Sequence, residues 1–457
     1  MDSTPPSSAK AAIRQRRGGW LMDEGRTWRV AIAALLGLLI RATFLAINPD
    51  ALAADPDAYR AIAQTLSESG VYGLTDAMGQ TQPTAFRPPL YPAMLSLLIR
   101  EGQLPLASVA ILHVSLGIVA VVCTSLASEM LLASWQLPHR RRRVISLLAG
   151  VFVAVDPILL RASTQVMTET LAVALTAAAM LVWIKLWTPG STGRHSGAGQ
   201  GFACALALAS LLAAAVLCRP TFLVWAAAVV LVMLVIAGRF LVHRQRATWV
   251  ALLIVLVVGG AIGGWTIRNW RVMGHPVWAT SHGGYTMLLA NNPSMYDYLA
   301  GGPPQNAGWL EAWDATAFLS AHAHRAELQD PTDETFWRKE WKSVEPKPIP
   351  YDELEDDRRM SLAAKSFMRR HPIQFAWSAL ARVDRLWSPL PQKTPNRSWA
   401  LIAGVGVYYF FIYGCLLIAL MRWRGRLLQM PWLSGWALWF ALTAVHSVYF
   451  TNIRMRA

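Results

Sequence analysis

Residues 28–47 read WRVAIAALLGLLIRATFLAI, and this run decides the class of the fold. At a rise of 1.5 Å per residue it spans the ~30 Å of a hydrocarbon core, where only a helix satisfies every backbone polar group internally. The pattern returns at 106–133, 144–160, 166–187, 201–217 and 249–266, once between Pro220 and Arg239, and twice after residue 398. These nine apolar stretches predict an all-α polytopic membrane protein with about nine transmembrane helices. The run 201–217, short and rich in Ala, is the weakest of them.

Composition agrees, with 54% hydrophobic and 15% charged residues among 457. A net charge of +15 would suggest nucleic acid in a soluble chain. Here much of the excess sits on short loops that flank apolar runs, which is a topology signal, and no nucleic-acid partner is expected. Cys123, Cys204, Cys218 and Cys415 fall in or beside apolar runs without a C-x-x-C pair, so they read as small buried hydrophobes. Lys10, Arg14, Arg16, Arg17 and Arg26 precede the first span. That span is too long for a signal-peptide core and lacks a small-residue cleavage site, so it reads as a retained anchor.

Arg140–Arg143, Lys185, Arg194, Arg239, Arg244, Arg246, Arg422, Arg424 and Arg426 mark alternate loops. They predict a multi-pass protein of the cell (inner) membrane with a cytoplasmic N-terminus. The chain then divides into a basic tail (1–27), spans one to seven (28–267, including an outer loop at 48–105), an extracytoplasmic segment (268–397) and two last spans (398–457). The segment 268–397 is near-neutral, with 16 Lys/Arg against 15 Asp/Glu, as a small domain capping a membrane site would be. It has a Gly/Pro stretch at 301–304 and a charged helical stretch near 351–370. In the outer loop, 55–69 reads as an amphipathic helix stopped by Gly70. Residues 90–99 read as an interfacial piece too short to span.

Chemistry is expected where polar residues collect at outer span ends. Asp55 lies just past the first span, with Tyr59 one helical turn on. The Asp55-Pro56 pair is also an ordinary N-cap with Pro at N1, and both roles can coexist. Glu169, in Thr168-Glu169-Thr170, starts the fourth span. Facing lipid at depth it would cost ~2–3 kcal/mol, so it faces the bundle interior near Asp55, or else snorkels at the interface. Asp156 before Pro157 reads as a helix stop. Arg87, Arg219 and Arg268 offer guanidinium forks for a phosphate, or snorkel to headgroups. His282-Gly283-Gly284-Tyr285 would permit a tight backbone approach.

At these residues the chain resembles GT-C glycosyltransferases, in the branch holding family 39 (protein mannosyltransferase-like) and the bacterial lipid A aminoarabinose transferase. The resemblance rests on Asp55-x-x-x-Tyr59, Phe86-Arg87-Pro88-Pro89-Leu90-Tyr91-Pro92, Met167-Thr168-Glu169, Arg219-Pro220, 265–293 with Arg268-Asn269 and Gly283-Gly284, and the stretches 364–372 and 375–387. It implies sugar transfer from a polyprenyl-phosphate donor to a lipid, glycan or protein acceptor on the outer face, among membrane lipids. Asp55 would be the general base, a contribution of roughly 10²–10⁴-fold. Arg87 first, then Arg268 and Arg219, would stabilise the departing phosphate. Glu169 would orient the acceptor or ligate a divalent ion. Tyr59, Tyr91 and His282 would contact substrate. No His-rich cluster demands a metal, and no cofactor is assigned. Asp57 stands where many members carry another polar residue, which would move the acid by two positions. The chain stops at Arg454-x-Arg456-Ala457, where members usually continue with Pro-containing sequence.

The rival class is a lipid or solute transporter or flippase, which tends to place polar groups and broken helices near the midplane of repeated halves. No repeat is visible. His113 in span two and the Gly259-Gly260/Gly263-Gly264 pairs in span seven are the features in its favour, and both have packing explanations. A non-catalytic assembly subunit is a third reading.

Overall fold

The computed structural model describes residues 24–76, 78–133, 135, 137–188, 198–300, 313–322, 328–339, 352–394 and 397–456. Lys10, Arg14, Arg16, Arg17, Arg194 and the 301–304 stretch lie outside them. The chain is an all-α multi-pass membrane protein. Among the described residues seven helices are long and apolar enough to cross a membrane, or eight if a pair bent by 51° is one span. A further apolar helix of 17 residues, Met430–His446, accounts for the ninth run.

Helix α1 (Glu24–Ile47) leads to α2 (Tyr59–Ser69), a short antiparallel hairpin of β1 (Gly73–Thr75) and β2 (Thr81–Pro83), and α3 (Leu90–Ser96). Helix α2 starts at Tyr59 rather than Asp55, because Ala58 is left-handed (φ 59°). Gly70 ends it in the same conformation (φ 71°), as Gly does at a helix C-terminus. Helix α4 (Leu106–Ala133) is unbroken, whereas the third apolar run is split into α5 (His139–Val155) and α6 (Pro157–Ser163). Asp156 caps α6, its Oδ1 accepting from the N–H groups of Ile158 (2.9 Å) and Leu159 (3.1 Å). The break frees carbonyls in a medium with no water to satisfy them. Arg41 of α1, only 2% exposed, donates to those of Val153 (3.1 Å) and Ala154 (3.4 Å). Gly117 makes room, since a Cβ there would lie 2.3 Å from Arg41 Nε.

Helices α7 (Glu169–Trp187), α8 (Ala198–Cys218), α9 (Phe222–Arg239) and α10 (Leu241–Met273) follow. The Ala-rich run is no marginal span. Half of its apolar window is buried, a share matched among the spans only by α7, because small residues let neighbouring backbones approach closely. Helix α10 has 33 residues and outruns its apolar centre, carrying Arg268 and Asn269 within its last turns.

The polar segment builds α11 (Gly283–Ala290), α12 (Pro293–Ala300), α13 (Ala315–His322), α14 (Glu334–Arg338), α15 (Glu353–Arg370) and α16 (Pro372–Trp387). They share a second core around Leu288, Tyr296, Phe336, Trp337 and Phe367. Ile373, Trp377 and Leu380 form an exposed apolar stripe on α16, as on a helix lying in a membrane interface. Helices α17 (Trp399–Leu427) and α18 (Met430–His446) follow, α17 mostly exposed at the edge of the bundle and α18 packed on α7 and α9.

Candidate functional site

The end of the bundle that carries the loop between α1 and α4 collects the charged residues. Asp55 reaches α2 from outside: its Oδ2 accepts from the Ala61 N–H at 3.0 Å. It is thus a cap, though six residues upstream of its donor and not through Pro56. Its Oδ1 is buried with no hydrogen-bond partner among the described residues. Asp57, not Asp55, holds Arg87: Nη2 to Asp57 Oδ1 is 2.7 Å and Nε to the Asp57 carbonyl is 2.8 Å. Ala58, between the candidate residues Asp57 and Tyr59, takes the left-handed conformation that a side chain adopts at a cost.

The Arg87 guanidinium lies over the rings of Phe86 (4.2 Å) and Tyr59 (5.5 Å). Tyr59 meets Tyr91 edge-on at 5.3 Å. The Tyr91 hydroxyl lies 2.7 Å from His113 Nε2, and His113 Nδ1 lies 2.8 Å from the Ser163 carbonyl. A carbonyl only accepts, so Nδ1 carries the proton and Tyr91 donates to Nε2. Burial pushes the Tyr59 phenol up to about 12, against the opposing pull of Arg87. The same phenol feels the charges of Asp57, Arg219 and Glu169, and Tyr91 feels Glu169 and Asp55. These groups therefore share one electrostatic neighbourhood. Burial, reinforced by Arg87, holds the His282 imidazole well below its usual range. Its ring meets Phe86 edge-on at 4.8 Å and stacks on Tyr285 at 4.2 Å.

Glu169 is 1% exposed in the first turn of α7, where the helix dipole favours a carboxylate. Its Oε1 lies 3.4 Å from Arg219 and 3.3 Å from Arg454, while Oε2 is buried without a hydrogen-bond partner among the described residues. Arg268 is placed differently from Arg87 and Arg219. It donates to the carbonyls of Tyr72 (2.6 Å) and Thr84 (2.8 Å) and to Asn269 Oδ1 (2.8 Å), tying the β-hairpin loop to α10. Among the described residues no group of three or more His, Cys, Asp or Glu is placed to hold a metal ion.

Two cavities are lined by the arginine partners of Glu169, one by Arg219 and the other by Arg454. One, of about 510 Å³, runs from Arg219, Tyr409 and Arg456 towards Leu131 and Trp432 at the far end of the bundle. The other, of about 630 Å³, is lined by Arg161, Arg385, Arg397 and Arg454 together with Phe44 and Leu401. The turn Ile453–Arg456 stands between them, with Ile453 and Arg454 facing the larger and Met455 and Arg456 the smaller. Sequence reasoning missed Arg454 and Arg456 as site residues. A signal was present: Arg454 and Arg456 lie two positions apart just past the last apolar run, where charged residues at span ends are already the candidates.

No family model matches the chain, and no curated protein matches it. Among solved structures the chain is similar to ArnT from Cupriavidus metallidurans bound to undecaprenyl phosphate. Identity is 13%, over 94% of this chain and 76% of that one, with a TM-score of 0.38. A likeness at that score assigns neither family nor activity.

Proposed function

We propose that the chain is an integral-membrane glycosyltransferase of the GT-C type, moving a sugar from a polyprenyl-phosphate donor to an acceptor hydroxyl at the extracytoplasmic face. One observation carries this reading. Among the described residues two carboxylates, Asp55 and Glu169, each keep a buried oxygen without a hydrogen-bond partner, and Glu169 meets Arg219 and Arg454, each of which lines a cavity. Buried acceptors without donors are uncommon in proteins and point to a ligand or solvent group.

In the proposed step the acceptor oxygen attacks the anomeric carbon and passes its proton to Asp55 Oδ1. The bond from the anomeric carbon to the phosphate oxygen breaks, and the polyprenyl phosphate leaves with the electron pair. Asp57 is already neutralised by Arg87, which favours Asp55 as the base. Arg87, with Arg219 next, would meet the charge developing on the departing phosphate, an interaction strengthened in a site shielded from water. Arg268 has its guanidinium on loop carbonyls and ranks last for that role. Glu169 Oε2 would accept from an acceptor hydroxyl.

The α5–α6 break favours a second reading, a transporter or flippase. Against it, the groups at the break are occupied: Asp156 holds two N–H groups and the Tyr409 hydroxyl, and Arg41 holds the freed carbonyls. The test compares surface glycans and glycolipids by mass spectrometry in cells lacking the gene and in cells complemented with wild type or Asp55→Asn. The enzyme reading expects one sugar mass to vanish in the deletion and to stay absent with Asp55→Asn expressed at normal levels. Near-normal transfer by Asp55→Asn would refute the base assignment.

A further inference from the structure

Helix α15 lies outside the membrane spans, yet one of its carboxylates reaches the stretch that ends in Arg87 and another reaches the Gly-Gly pair beside it. Its acidic residues divide by direction. Glu355 pairs with Arg358 and Arg359 on the solvent side. Glu353 and Asp357, four residues apart and so on one face, turn inward instead. Glu353 Oε2 accepts from Thr84 Oγ1 at 2.5 Å, and its Oε1 accepts from the Ala85 N–H at 3.0 Å and from the Ser281 hydroxyl. Asp357 Oδ1 accepts from the Gly284 N–H at 2.6 Å, in the first turn of α11, where the helix dipole favours a negative charge.

The two segments gripped in this way are also joined directly. The Ser281 N–H donates to the Ala85 carbonyl at 3.0 Å, and Thr84 Oγ1 accepts from the Phe86 N–H at 2.9 Å. Phe86 meets His282 edge-on and carries the Arg87 guanidinium over its other side. Gly284 makes the approach feasible, since a Cβ there would lie 2.0 Å from the Asp357 backbone oxygen. That contact accounts for the second glycine of His282-Gly283-Gly284-Tyr285, which the proposed reaction leaves without a role.

We infer that Glu353 and Asp357 are positioning residues that clamp residues 84–87 to residues 281–285 and so set the Arg87 guanidinium for the donor phosphate. This rests on the phosphate role proposed for Arg87. Neither carboxylate touches substrate, so each acts only through the loop it holds. A role confined to stability would weaken folding without moving phosphate affinity selectively.

The test uses the full chain in nanodiscs and measures binding of undecaprenyl phosphate by tryptophan fluorescence, with undecaprenol as the uncharged control. Glu353→Gln keeps shape but puts an amide against N–H and O–H donors. It should raise Kd for the phosphate by about tenfold, the scale of a charge-assisted hydrogen bond, and leave undecaprenol binding unchanged. Gly284→Ala should act in the same direction, and Glu355→Gln should do nothing. Combined with Arg87→Ala, Glu353→Gln should add no further loss, because both act through one guanidinium. Additive losses would overturn the inference. So would an unchanged Kd in Glu353→Gln and Gly284→Ala alongside a weakened Arg87→Ala, which leaves the phosphate role of Arg87 standing. An unchanged Kd in Arg87→Ala would remove that role itself, and the clamp's purpose with it.

Discussion

Glu169→Gln is the perturbation whose size follows most directly from the geometry. Two unit charges 3.3–3.4 Å apart attract by about 5 kcal/mol at the effective dielectric of ~20 that suits protein sites. The two arginines do not contribute equally. Arg454 is 33% exposed against 16% for Arg219, so solvent screens its pair more and Arg219 carries most of the interaction. Burying a carboxylate to 1% exposure is itself expensive, and the intact cluster can be near break-even. Removing the one negative member is different. It leaves two guanidinium groups facing each other beside the cavities, and the expected loss is about 3–5 kcal/mol, the range for breaking a buried pair. Tryptophan fluorescence suits the unfolding measurement, since the chain has 21 Trp. Adding Arg219→Gln to Glu169→Gln should cost about 1–3 kcal/mol less than the two single changes summed. A Glu169→Gln protein within about 0.5 kcal/mol of wild type, or strict additivity, would refute the reasoning.

Three further outcomes are expected. His282 is held well below its usual value near 6.5 by burial and then by Arg87, so the unfolded chain binds more protons as the medium acidifies. Its contribution to stability is then complete above about pH 6.5 and lost as pH falls through the lowered folded value; His282→Gln should flatten that acid limb, and an unaltered limb would contradict the assignment. Tyr91→Phe removes the donor to His113 Nε2 and strands a buried acceptor, at about 1–3 kcal/mol, to be read from the unfolding midpoint. Gly117→Ala should cost about 1–3 kcal/mol, because the new methyl displaces an Arg41 that is tied to two carbonyls; an unchanged midpoint would show that Arg41 is free to move.

Hydropathy alone located the spans, because lipid imposes one answer on a long apolar run. What it missed was decided by contacts between distant segments. Asp156 before Pro157 reads as a stop within the 144–160 run, but hydropathy does not reveal that Arg41 and Tyr409, on other helices, hold the groups at that break. The Ala-rich run 201–217 looked marginal by length and composition, while its burial depends on four neighbouring helices. Within the site, Asp55, Tyr59, Glu169 and Arg87 were legible as polar residues at span ends. Which aspartate takes Arg87 was not, because the pairing is a tertiary contact between positions thirty residues apart. Nor was Arg454, which meets Glu169 from the far end of the chain. The charged stretch near 351–370 was legible as a helix, but the direction of Glu353 and Asp357 was set by partners in two remote loops.

The measurement that bears most directly on the proposed activity is transfer by the purified protein in proteoliposomes. They would be given a polyprenyl phosphate carrying a radiolabelled sugar, together with an extract of envelope lipids and glycans. The account predicts that label moves onto an acceptor and sugar-free polyprenyl phosphate accumulates, with neither seen for Asp55→Asn. Flux of the intact labelled lipid across the bilayer, with no label leaving it, would contradict the account and favour a transporter.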